Sequence, residues 1–162
     1  MKKILAFSIV LFAFTAGVFA QATATATAVI VAPISIARDA DMSFGNIIAD
    51  ADGGTVVLVP AGTRTLNGLT SPSIVGTITA ASFTVTGLID ATYAITLPAS
   101  HTISSGGNDM IVDTFTSTPS GTGTLTGGTE TLDVGATLNV GLNQPAGTYT
   151  NAAGFTVTVN YN

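Results

Sequence analysis

Phe155, Val157, Val159 and Tyr161 occupy every second position of the run 155–161, with Thr156, Thr158 and Asn160 between them. Side chains of an extended chain point alternately to two faces, so this spacing predicts a β-strand with one apolar and one wetted face. A strand buries its backbone N–H and C=O groups only by pairing them, so the run demands a partner. Ala, Thr, Gly and Val dominate the rest of the chain, and charged helix formers are scarce, which points to an all-β fold. The partner of 155–161 is therefore the question on which function turns.

Residues 1–20 are set apart from that fold. Lys2 and Lys3 precede an apolar run, Ile4 to Phe14, and Val18-Phe19-Ala20 supplies a cleavage site, so 1–20 reads as a secretory signal peptide. The apolar run is short for a membrane span, and no span is expected after cleavage. The expected product starts near Gln21, is exported through the periplasm and is secreted or held at the cell surface. Beyond residue 20 the chain keeps two arginines and nine acidic residues, a net charge of −7, and no lysine. Such a surface excludes nucleic acid as a partner. There is no cysteine, so burial and sheet hydrogen bonding must hold an exported fold that disulfides do not staple.

Turn residues divide the remainder into eight to eleven short strands. Residues 21–36 read as an N-terminal extended segment or first strand, and residues 37–162 as one β-sandwich domain. Within it, Arg38 to Asp41 reads as a turn, 42–47 as a short strand, 55–59 as an apolar strand, and Asn67-Gly68 as a two-residue turn. Strands are also expected at 74–79, 82–86, 92–97 and 110–116, near Leu125, and at 131–134 and 136–142. Phe83 and Val85 are expected to face inward, Tyr93, Ile95 and Leu97 to share one face, and Leu138, Val140 and Leu142 to share another.

Residues able to carry chemistry are few. His101 is the only histidine, so no two-histidine metal site exists, and its place after Pro98 reads as a solvated loop. No Ser lies in a Gly-x-Ser-x-Gly elbow. Asp50-x-Asp52-Gly-Gly resembles the opening of a calcium loop but lacks the further oxygen ligands and terminal Glu. Asp109 and Asp113 are too far apart along a strand for an acid–base pair. The seven aromatics beyond residue 20 include no Trp and mostly fit inward positions, which leaves no sugar-stacking platform. The expectation is a protein that is not an enzyme, with no catalytic residue, cofactor or metal.

Phe44-Gly45-Asn46-Ile47, Phe83-Thr84-Val85-Thr86-Gly87, Tyr93-Ala94-Ile95-Thr96-Leu97-Pro98, Val134-Gly135-Ala136-Thr137-Leu138 and the closing Gly147-Thr148-Tyr149 with Phe155 to Tyr161 follow one another along the chain. In that order and spacing they resemble a family of secreted bacterial β-domains catalogued as a domain of unknown function. The closing pattern is also similar to the last strand of spore-coat-U-like and archaic chaperone–usher pilins. That resemblance implies an immunoglobulin-like (pilin-like) antiparallel β-sandwich, a fimbrial or surface-fibre role, a homopolymer and a periplasmic chaperone as partner. Many such pilins carry a disulfide, and this chain departs from them in having no cysteine.

Strand addition gives the resemblance a physical content, because an extended segment of one copy can complete the sheet of the next. The uncharged run Gln21 to Ala32 suits a donor, with Val29, Ile30 and Val31 its largest side chains. The candidate strand-exchange residues are therefore Val29, Ile30, Val31, Phe155, Val157, Val159 and Tyr161. Phe155 to Tyr161 is expected beside the 21–32 segment of its own chain or of a neighbour. The first arrangement makes a monomeric domain that recognises a glycan or protein through its loops, and the second makes a fibre.

Overall fold

The computed structural model describes residues 20–162. The signal-peptide reading of residues 1–20 falls, but for Ala20, outside the described residues. The chain divides after Ile30 into two units. Residues 20–30 carry no regular secondary structure and are exposed, with Val29 and Ile30 at 82% and 98% of full exposure. Of the two readings of 21–36, an extended segment or a first strand, only Ser35 and Ile36 fall in a strand, since alternation creates a strand only where a ladder partner exists.

The second unit, from Val31, is all-β and antiparallel, with no α-helix. Its strands are β1 (Ser35–Ala40), β2 (Ser43–Phe44), β3 (Gly54–Leu58), β4 (Arg64–Asn67), β5 (Ile78–Thr79) and β6 (Ala81–Thr86). They continue with β7 (Thr92–Thr96), β8 (Ser100–Ser105), β9 (Asn108–Thr118), β10 (Thr122–Thr124), β11 (Thr129–Val140) and β12 (Thr158–Tyr161).

The twelve residues of β11 organise the main sheet. One edge of β11 pairs first with β6 and then with β3, while the other edge pairs with β9. β1 extends the sheet beyond β6, β4 beyond β3, and β8 beyond β9. Residues 131–134 and 136–142, expected as two strands, are mostly one, which ends at Val140, so Leu142 leaves the face of Leu138 and Val140 and is exposed. Gly135 lies in the middle of β11 because a Cβ there would collide with the Leu58 carbonyl oxygen of β3. Opposite it, β9 bulges at Thr114, whose φ of 49° lies in the left-handed region. A second sheet runs β10-β7-β12, and β2 pairs with β5 alone.

Two apolar clusters fill the interior, and the even-numbered face of β11 feeds both. Leu132 and Val134 join Ala81, Val85, Tyr93, Leu125 and Val159 in the first. Ala136, Leu138 and Val140 join Val56, Met110 and Val112 in the second. Met42 and Phe115 pack against both clusters. Each fully buried Leu or Val contributes about 1.5–3 kcal/mol, so this one strand face anchors much of the core.

Other differences follow from local pairing. Arg38 and Asp39 remain in β1 instead of turning, because this edge strand exposes them, and Asp39 accepts a hydrogen bond from Thr84 Oγ1 on β6. The β3–β4 hairpin turns at 60–62, with Val59 N donating to Thr63 O, while Asn67 ends β4 and Gly68, with φ of +69°, bends the chain after it. Of 74–79 only Ile78 and Thr79 form a strand, and Ile74 is 75% exposed.

Candidate functional site

An open groove of about 1120 Å³ runs over the second cluster. Its volume lies just above the range of about 300–1,000 Å³ usual for small-ligand clefts. Residues 41–49 form one wall and residues 144–155 the other, with His101, Ile103, Met110, Val112, Leu138 and Val140 beneath. Arg38 and Asp41 are the only charged residues of the lining, and they pair with each other at 2.7 Å.

Both walls present backbone that the fold uses on one side only. In the first wall, β2 pairs with β5, Asn46 N donates to Val75 O, and Ile48 N donates to Thr70 O, all away from the second wall. In the second wall, Thr150 exchanges both backbone bonds with Ser104 on β8, and Gly154 N closes a turn onto Asn151 O. Among the described residues no backbone hydrogen bond joins the two walls. An extended segment laid between them would meet polar backbone on either side and an apolar floor below.

Side chains hold the walls in place. Arg64 Nη1 donates to Phe44 O from beneath the first wall, while its buried Nη2 has no partner among the described residues. Gly45, with φ of +70°, lies too close to the Val75 carbonyl for any Cβ. In the second wall, Tyr149 Oη donates to Pro145 O at 2.8 Å and accepts from Gln144 Nε2 at 3.0 Å. Asn151 Nδ2 donates to Thr102 O at 2.9 Å, which ties the same run to β8.

Phe155 lines the groove and is the hub of an aromatic cluster. Its ring lies 5.0 Å from Phe115, 6.1 Å from His101 and 6.4 Å from Phe83. His101 is therefore not a solvated loop residue. It stands on β8, half-buried, with its ring against Phe155. The polar composition of Ser100–Ser105 masked this strand, since only Ile103 marks an inward face.

The predicted strand-exchange residues fall into three places. Val29 and Ile30 belong to the first unit and are exposed. Phe155 and Val157 precede β12 and pack against the first cluster, where Val159 is buried. Tyr161 pairs in register with Tyr93 on β7, which partners 158–161 along one edge of β12. Tyr161 does meet Val31 in a smaller cleft, of about 360 Å³, shared with Leu88, Ala91, Thr92 and Asn162. The groove itself escaped the sequence reading, because its walls are largely irregular runs about a hundred residues apart.

The remaining polar groups serve the fold. Asp50 accepts from Thr70 Oγ1 at 3.1 Å, Asp109 from Ser104 Oγ at 2.6 Å, and Asp113 from Asn139 Nδ2 at 2.9 Å. Among the described residues no group of three His, Cys, Asp or Glu side chains is placed to share a metal ion. Tyr93, fully buried, has its pKa raised by burial first and then by Glu130. The Tyr93 hydroxyl lacks a hydrogen bond of acceptable alignment, and Glu130 Oε2 is committed to Thr124 N at 2.8 Å. No helix among the described residues is long and apolar enough to cross a membrane.

Residues 34–161 match the family described as "Domain of unknown function (DUF4402)". No curated protein and no solved structure matches the chain.

Proposed function

The chain belongs to the DUF4402 family of domains of unknown function, and on that premise we propose that it is an exported, non-enzymatic structural subunit, assembled into a surface fibre by strand addition. The groove between residues 41–49 and 144–155 carries this reading. Its occupant is the N-terminal segment, residues 21–31, of a second copy.

The segment and the groove match in chemistry. In an extended conformation Ala22, Ala24, Ala26, Ala28 and Ile30 lie on one face, and Gln21, Thr23, Thr25, Thr27, Val29 and Val31 on the other. Of the side chains on the first face Ile30 buries by far the most apolar surface, which makes it the anchor. The segment carries no charge, and the only charges of the groove lining neutralise each other. Inserted between the walls, its backbone would pair with edges that are otherwise left open, as in β-strand addition.

Two further observations support an immunoglobulin-like sandwich. Tyr149 bonding back to Pro145, four residues upstream, has the form of the tyrosine corner found in Greek-key sandwiches. The two clusters meet along one face of β11, as a core between two layers does. An open apolar groove also needs cover during export, which is the role a periplasmic chaperone would fill.

The test uses a synthetic peptide of residues 21–32 and a chain truncated to begin at Val31, the compact second unit. Ligand that binds only the folded state raises the melting temperature, so the peptide should stabilise the truncated chain and its Ile30→Asp counterpart should not. An unchanged melting temperature with both peptides would refute strand addition.

A further inference from the structure

Tyr161 makes two hydrogen bonds that the strand-addition reading leaves unexplained. Its Oη accepts from Leu88 N at 2.6 Å and donates to Ala32 O at 3.0 Å. Ala32 is where the N-terminal segment enters the folded unit, and Leu88 lies in the connection between β6 and β7. Gly87 gives way to the hydroxyl, since a Cβ at that position would collide with Tyr161 Oη. Val31 rests beside the same ring in the smaller cleft.

Two local constraints act at the same point. Pro33 fixes its own φ and offers no N–H. A residue before proline is confined to extended conformations, which restricts Ala32. Two residues later, Ser35 Oγ and Thr86 Oγ1 lie 2.7 Å apart, holding the start of β1 to β6. The root of the segment is thus held by backbone stiffness, a tyrosine and the first rung of the sheet.

Building on the proposed fibre reading, we infer that Tyr161 is a positioning residue: it fixes the root of the donor segment and so selects a neighbour's groove over the chain's own. Length alone does not make that choice. The six residues of β1 span about 20 Å between Ser35 and the Arg38–Asp41 rim, and eleven extended residues reach about 36 Å. A segment free to reverse at Ala32 would reach its own groove and close it, leaving a monomer with nothing to donate. Holding Ala32 O on Tyr161 opposes that reversal.

The experiment compares full-length wild-type chain with Tyr161→Phe, which removes only the hydroxyl, and with Pro33→Gly, which loosens the same root without touching the core. Unboiled SDS gels read the ratio of polymer to monomer. Spin labels on the double variant Thr25→Cys/Ala152→Cys, whose two thiols are the chain's only ones, read self-insertion within monomers. Tyr161→Phe should shift the ratio about fivefold toward monomer, the weight of one net hydrogen bond to Ala32 O, Pro33→Gly should shift it in the same direction, and monomers of both should gain a short label-to-label distance. Variants that polymerise as wild type does, with no short distance, would overturn the role of Tyr161 and leave strand addition standing. A wild-type chain that never polymerises would overturn both.

Discussion

The ring of Phe155 lies 5.0 Å from that of Phe115, tilted by 49°, and so fastens the C-terminal run to the bulged strand β9. His101 and Phe83 complete the contact from two further strands. One side chain thereby joins residues 144–155, which form a groove wall, to both the main sheet and the first cluster.

Phe155→Ala should therefore weaken the fold and the groove together. Truncating a buried Phe costs about 3–5 kcal/mol, and a half-buried one somewhat less, so a loss of about 2–3 kcal/mol is expected in urea unfolding. Phe155→Leu should recover part of it, because the apolar volume is largely kept.

Gly135→Ala should destabilise by steric conflict with backbone. Its Cβ would meet the Leu58 carbonyl, and overpacking of this kind costs about 1–3 kcal/mol. Gly106→Ala is the comparison. Gly106 has φ of 56° and open space around it, so only the left-handed conformation opposes the substitution, at about 1–2 kcal/mol. Urea midpoints for the pair separate the two causes: adding Gly62→Ala, also open, should track Gly106 and not Gly135.

Tyr93 predicts a loss of stability in base. Its folded pKa is raised, so the unfolded chain releases the phenolic proton first, near pH 10, while the folded chain retains it. The stabilisation is fully present below that value and declines as pH rises further. Tyr93→Phe should flatten the decline, and at neutral pH it should cost little, because the lost hydroxyl lacks an aligned partner. Melting curves from pH 7 to pH 11 check both statements.

Much of the sheet was legible because it follows one rule. Phe83 and Val85 face inward in β6, and Tyr93 and Ile95 in β7, where alternation placed them. Longer-range facts were not legible. Gly135 reads as a break, yet it continues β11 because a neighbouring backbone needs the space of its missing Cβ. Ser100–Ser105 reads as a loop, although its pairing with Asn108–Asp113 makes it a strand. The alternation of Ala and Thr at the start of 21–36 suits an extended segment or a first strand alike, because a strand's partner is not written in its own spacing. The candidate site suffered most, since a groove is the absence of a strand between two distant runs.

Ile30 separates fibre assembly from folding. It is 98% exposed, so Ile30→Asp should leave monomer stability within about 0.5 kcal/mol of wild type. The same substitution should abolish polymer, because it sets a charge at the anchor position of an apolar groove. Thr25→Asp, on the opposite face of the segment, should polymerise nearly as wild type does. Equal loss in both variants would mean that the alternating faces do not govern insertion.

The most direct test of the central claim is an unboiled SDS gel of the full-length chain purified from cell-surface extract. Strand addition predicts a ladder of regularly spaced bands that collapses to monomer on boiling and is missing from Ile30→Asp. A single monomer band before boiling, at concentrations where the chain is folded, would contradict it.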